Sequence, residues 1–293
     1  MLPADDIAAR LRAAAPTAGP HLAADIRPAV RLATWPIDER NLPAGASKYG
    51  GSADLPRGTA WPSWTNRQGQ LRPMIFFAQV DLAEAAKAAP GPLGLPGDGL
   101  LSFFADYAVD GVDGILGLYS WEQAGVAVIH SPAGSDLQRT RSPVPPQPSA
   151  ALAMIPMWTW PEHPPDGVDL PDVEFDALDA LDQAYQAELR QAAGQWRIEG
   201  RHQLGGHARF IQHAVEEEVV QAINGCFDAG GFDHDRWNAS KDQVKDWRLI
   251  LQVDSDSGLD LMWGDVGTLY WEARRADAAA GQWHRPAFNF QCS

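Results

Sequence analysis

One stretch of this chain occurs twice. Met74-Ile-Phe-Phe-Ala-Gln-Val-Asp81 can be laid on Trp247-Arg-Leu-Ile-Leu-Gln-Val-Asp254, which sets Phe76, Ala78 and Val80 opposite Leu249, Leu251 and Val253. Alternate residues of a strand share a face, so each set predicts a strand with one apolar side. Downstream, Gly99-Leu-Leu-Ser-Phe-Phe-Ala105 matches Gly267-Thr-Leu-Tyr-Trp-Glu-Ala273, and upstream Ser47-Lys-Tyr-Gly-Gly51 matches His202-Gln-Leu-Gly-Gly206. Three matches in one order make an internal duplication, with insertions at loops where the spacings differ. The paired glycines in each copy predict turns that need positive φ or close backbone approach.

The breakers agree with this reading. There are 27 glycines and 23 prolines among 293 residues, a density that suits short strands joined by turns better than long helices. The expected class is α+β, a mostly antiparallel β-sheet built from two pseudo-repeat units with a few peripheral helices. Residues 1–40 are expected to form an N-terminal helix, over about 4–15, and a leader segment with a brief strand at Val30–Ala33. Residues 41–293 form the repeated domain: one unit over about 45–130, a Pro-rich irregular crossing and helix over about 131–195, and a second unit over about 200–293. Asp81 is placed to cap a short helix over Leu82–Ala89. Phe175, Leu178, Leu181, Tyr185 and Leu189 give residues 173–193 a helical period. Alternation in Ala287–Cys292 predicts a closing strand with Phe288, Phe290 and Cys292 toward the core.

Charge narrows the partners. The chain carries 38 acidic against 23 basic residues, a formal net charge of −15, which repels nucleic acid and anionic lipid and draws basic molecules. No apolar run is long enough for a membrane span, and the N-terminus does not read as a signal peptide. Cys226 and Cys292 are the only cysteines, too few for a disulfide framework, so a reducing cytoplasm is the expected compartment.

The motifs offer catalysis little. There is no Gly-x-Ser-x-Gly elbow, no P-loop lysine after the paired glycines, and no Cys/His signature. Asp254, Asp256, Asp260 and Asp265 resemble a calcium loop in spacing, but the glycine is one position early and the last ligand is Asp where Glu is usual. A hairpin turn is the simpler reading, with the four as a weak metal candidate and no cofactor expected. His202, His207 and His213 are too evenly spread, with no cysteine nearby, to read as a zinc set. The tryptophans in breaker-rich segments, among them Trp35, Trp61, Trp64 and Trp263, suit either interface anchors or plugs at the ends of the core. The acidic run is the feature to follow: Asp166, Asp169, Asp172, Glu174, Asp176, Asp179 and Asp182 with no basic residue between them, and a second group, Glu216, Glu217 and Glu218. As a surface patch it would meet a basic partner; otherwise it is a solvated helix face.

The segments Ser47–Pro56 (SKYGGSADLP) and Trp247–Leu269, with the terminal Gln291-Cys292-Ser293, resemble the YwqG-like family of bacterial proteins, most specifically in Gln252–Asp256 and Met262–Asp265. That family is a domain of unknown function without an accepted catalytic site, and its members are similar to proteins in the immunity loci of bacterial polymorphic toxins. The resemblance implies a non-enzymatic cytoplasmic immunity protein that binds and neutralises a cognate toxin, with a basic nuclease as the expected partner and neither nucleic acid nor membrane engaged. Residues 1–40 and Asn224–Asp246 do not follow the family pattern. The alternatives are a metal-dependent hydrolase using the four aspartates, with or without His202, or a small-ligand-binding scaffold between the two units.

Overall fold

Both copies of the Gln-Val-Asp segment are strands of one sheet, and that sheet is symmetric about its middle. The computed structural model describes residues 3–66, 68–107, 125–228 and 231–293. Its strands are β1 (Arg27–Pro36), β2 (Lys48–Tyr49), β3 (Ala53–Pro56), β4 (Ile75–Asp81), β5 (Leu100–Ala105), β6 (Val126–Ser131), β7 (Leu137–Thr140), β8 (Ala150–Thr159), β9 (Gln203–Gly205), β10 (Trp247–Asp254), β11 (Thr268–Arg274) and β12 (Ala287–Gln291), beside two short hairpins off the main sheet. Around them pack helices α1 (Ala4–Ala14), α2 (Gly19–Ala24), α3 (Leu82–Ala88), α4 (Asp172–Ala193) and α5 (Val215–Ile223). The ten-stranded sheet runs β12-β11-β10-β9-β1-β8-β2-β4-β5-β6, every neighbouring pair antiparallel. With these helices the molecule is α+β and mostly antiparallel, as the sequence predicts.

The two repeats exchange strands at the centre. β1 precedes the first repeat in the chain yet pairs with β9 of the second; β8 precedes the second and pairs with β2 of the first. Val30 of β1 lies opposite Leu204, and Ala150 of β8 lies opposite Tyr49, which is the residue matching Leu204. The local twofold axis therefore passes between Ala33 and Ala153, which face each other across β1 and β8. Two expectations change here. Residues 27–36 lie in the middle of the sheet and not in a leader outside the repeats, and residues 150–159 are a long strand and not part of an irregular crossing. Proline inside a run normally argues against a central strand, and Pro156 sits in β8 opposite Val30, which is why the pattern misleads.

A bulge also overturns one face assignment. The ladder register shifts between Phe76 and Ala78 in β4 and between Leu249 and Leu251 in β10, at matching places in the repeats. The extra residue turns Phe77 and Ile250 into the main core beside Ala78 and Leu251, while Phe76 and Leu249 go to clusters on the other face. Phe76, Ala78 and Val80 thus do not share a side, nor do Leu249, Leu251 and Val253, because strict alternation fails across a bulge.

The sheet curls until its two wings face each other. Phe77 of β4 lies 5.1 Å from Trp271 of β11, ring to ring, and Trp271 lies 4.8 Å from Phe288 of β12. Trp271 also donates its Nε1 hydrogen across the wings to the carbonyl of Phe104, at 3.2 Å. On the opposite side of the central strands, α1, α2 and α4 close a second cluster through Ile7, Leu11, Leu22, Leu178, Tyr185 and Leu189 around Met157. The tryptophans divide: Trp263 is 3 % exposed in the main core, Trp61 packs on Phe104, and Trp35 remains 45 % exposed, edge-on to Trp196. Among the described residues no helix is long and apolar enough to cross a membrane. Cys226 and Cys292 are both free thiols.

Candidate functional site

The paired glycines open two equivalent loops, and each loop is closed by the same hydrogen bonds. Gly50, Gly51, Gly205 and Gly206 all have positive φ, between 59° and 77°. A side chain at Gly50 would meet the Pro148 carbonyl oxygen at 2.0 Å, so glycine is required there twice over. Gln79, wholly buried, accepts from the amide of Asp54 at 2.9 Å and donates to the Ala46 carbonyl at 2.8 Å. Gln252, equally buried, accepts from the amide of Arg209 at 3.0 Å and donates to the Arg201 carbonyl at 3.2 Å. Lys48 Nζ donates to the Ser52 carbonyl at 2.6 Å, as Gln203 Nε2 does to that of His207 at 2.7 Å. The Asp81 amide donates to Ser47 Oγ at 2.9 Å, as the Asp254 amide does to His202 Nδ1 at 3.1 Å. Ala53-Asp54-Leu55-Pro56 thus corresponds to Ala208-Arg209-Phe210-Ile211.

What stands beside those matching segments differs. In the first repeat Ala53–Pro56 is β3 and pairs with β7, Asp54 facing Arg139. Arg139 Nε lies 3.0 Å from Asp54 Oδ1, and the fully buried Lys48 side chain reaches Glu39 at 3.2 Å and Asp54 at 3.9 Å. In the second repeat residues 208–211 lie in no strand, and beside them lies an open cleft of about 700 Å³.

Acidic and imidazole groups line that cleft: Asp25, Glu162, Asp166, Glu216 and Glu217, with His21, His163, His207 and His213. No lysine or arginine lines it among the described residues. An adjoining pocket of about 290 Å³ shares Glu162, His163, Phe210 and Gln212 and adds Phe175, Asp179, Asp182 and Arg209. Arg209 is already committed, 2.6 Å from Glu162 and 3.5 Å from Asp182. Burial pushes Glu162 above the ordinary carboxylate range despite Arg209. Burial also raises Glu217, and the neighbouring charges of Asp166 and Glu216 raise it further. Burial works the same way on Asp25, but hydrogen bonds from His207 and Arg27 outweigh it and hold Asp25 down at about 2. Chemically, the cleft is a concave set of acceptors suited to a cation or a basic side chain.

Of the ten carboxylates singled out in the sequence, the fold brings Asp166, Glu216 and Glu217 to the cleft and Asp179 and Asp182 to the adjoining pocket. Asp169, Asp172 and Asp176 lie outside both. Three are held by groups of the chain itself. Glu174 is 7 % exposed and accepts from the amides of Thr17 and Ala18 at the start of α2. Asp182 is 4 % exposed and pairs with Arg201 at 2.9 Å. Glu218 accepts from Gln291 Nε2 at 2.9 Å and from Asn289 Nδ2. A helix alternates its faces every few residues, so an acidic run along α4 cannot all face outward.

The four aspartates of the calcium-like spacing do separate work. Asp254 accepts from the Arg201 amide at 2.7 Å and from Thr268 Oγ1 at 2.9 Å. Asp256, 1 % exposed, takes His202 Nε2 at 3.1 Å and the Gly258 amide at 2.8 Å, capping a short 3₁₀ turn. Asp260, with φ 55°, and Asp265 are exposed. Among the described residues no three His, Cys, Asp or Glu side chains are placed to hold a metal ion. Of the histidines, His202 is an internal group while His207 and His213 border the cleft. Glu162, His163, His21 and Asp25 carry no spacing signal and come together only through the fold.

A family model described as a domain of unknown function, DUF1963, matches residues 47–292 of the chain. No curated protein matches it at a significant level.

Proposed function

We propose a function for this chain, which belongs to the DUF1963 family of unknown function, from its own geometry: it is a binding protein whose acidic cleft takes a basic partner. The observation that carries this reading is the cleft beside the second glycine loop, rimmed by Asp166, Glu216 and Glu217 and free of lysine and arginine among the described residues. The formal charge of −15 adds a long-range field of the same sign, which speeds encounter with a basic protein and selects against acidic ones. The resemblance to YwqG-like proteins supports a narrower form. In it the chain is a non-enzymatic immunity protein, the partner is a toxin, and a nuclease, whose substrate groove must itself be basic, is the partner that best suits an acidic cleft.

The experiment is a capture from the native cell extract at low and at high salt, made with the wild type and with the variant Asp166→Asn, Glu216→Gln, Glu217→Gln. The expected result is a stoichiometric basic protein, held at low salt, released at high salt and lost with the variant. Expressed alone that protein should arrest growth, and co-expression of this chain should restore it. A captured protein indifferent to salt and to the variant sinks the reading.

One observation favours a second reading. At about 700 Å³ the cleft falls within the size of small-molecule sites, so a cationic metabolite could occupy it. Calorimetry with polyamines at low salt separates the two, because a saturable heat would point to the metabolite.

A further inference from the structure

We propose that residues 208–211 receive an extended basic segment of the partner protein as an added strand, in the position that β7 occupies against β3 in the first repeat. This mode of binding presupposes the acidic-cleft function and names how the cleft is used.

The molecule displays the arrangement once already. Along β3 the Asp54 amide is turned inward to Gln79, and the Arg57 amide reaches outward to the Asp136 carbonyl at 2.9 Å. Because N–H groups alternate along an extended chain, the residues either side of Asp54 present theirs to β7. In the second repeat the Arg209 amide is turned inward to Gln252 in the same way. The amides of Ala208 and Phe210 are therefore left toward the cleft. The Phe210 amide lies near enough to the Glu162 carboxylate to favour its charged form. The Ala208 amide and the carbonyls of Ala208 and Phe210 have no backbone hydrogen bond among the described residues. At the far end the run stops, with the Ile211 and Gln212 amides both held by Gln291 Oε1.

A segment that corresponds to a strand but has no strand beside it is a template for another chain, its main-chain groups giving affinity and its surroundings choosing the sequence. Here the surroundings are acidic.

The test uses an eight-residue peptide of alternating valine and lysine, acetylated and amidated at its ends, with the full chain at low salt. Two further peptides carry N-methyl groups on either the lysine or the valine amides, so that each lacks the donors along one edge only. An added strand presents one edge to residues 208–211 and the other to solvent. The expected result is binding by the parent peptide, little change for one methylated peptide and a loss of about tenfold or more for the other. The variant Asp166→Asn, Glu216→Gln, Glu217→Gln should weaken the parent peptide. Equal binding of all three peptides would overturn strand addition while leaving the acidic-cleft function standing. Failure of the parent peptide to bind, or binding that ignores the variant, would overturn both.

Discussion

Gln79 and Gln252 occupy matching places in the two repeats and make matching bonds, each spanning its glycine loop from one amide to one carbonyl. Both side chains are fully buried, so their bonds are at least partly shielded from water. Replacing either by leucine takes the side-chain partner from one amide and one carbonyl that are buried or partly buried. We expect Gln79→Leu and Gln252→Leu each to cost about 2–3 kcal/mol, similar in size, in urea unfolding. Gln252→Leu should in addition loosen the cleft wall at Arg209, seen as faster amide exchange there.

Trp271 joins the wings by contact with Phe77, Phe103 and Phe288 and by its bond to the Phe104 carbonyl. Trp271→Ala should cost about 3–5 kcal/mol, the range for deleting a buried aromatic. Trp271→Phe keeps most of the packing and loses the bond, so its unfolding midpoint should fall between those of the wild type and Trp271→Ala.

Glu272 lies opposite Leu249 and Ala287 in the sheet, wholly buried, with neither carboxyl oxygen hydrogen-bonded among the described residues. Burial, and then the nearby Glu216 and Glu218, push its carboxyl well above the ordinary range. The folded state therefore keeps a proton that the unfolded chain gives up at lower pH. Stability contributed at this position is full below the unfolded carboxyl range and falls as pH rises toward the folded value. Urea midpoints at pH 5 and pH 8 should drop more for the wild type than for Glu272→Gln, which carries no titrating proton.

Partner binding should weaken in acid. Glu162 and Glu217 are both raised, so they take up protons before ordinary carboxylates do as pH falls. An affinity profile from pH 8 to pH 4 should begin to decline above the usual carboxylate range. Glu217→Gln should lower affinity at pH 8 and flatten that early decline.

Much of the local structure is legible in the residues. Asp81 does cap α3, accepting from the Glu84 amide at 2.9 Å, and the period of Leu178, Tyr185 and Leu189 does place α4 against the core. The Gln-Val-Asp repeat does mark paired strands. The candidate site was only partly legible. Asp166, Glu216 and Glu217 belong to runs that composition exposes, whereas Asp25 and Glu162 sit among ordinary loop residues and gain meaning only as neighbours of His207 and Arg209.

By itself the sequence determined the duplication, the antiparallel class, the glycine turns and the caps, all of which depend on short-range sterics, periodicity and local hydrogen bonds. Tertiary structure decided that β1 and β8 change places between the repeats, that the bulges at Phe77 and Ile250 invert their neighbours, and that Glu174, Asp182 and Glu218 turn inward. It also decided that β7 covers one glycine loop and leaves its counterpart facing a cleft. Those outcomes depend on which distant surfaces exclude water together, and no local pattern of residues encodes that choice.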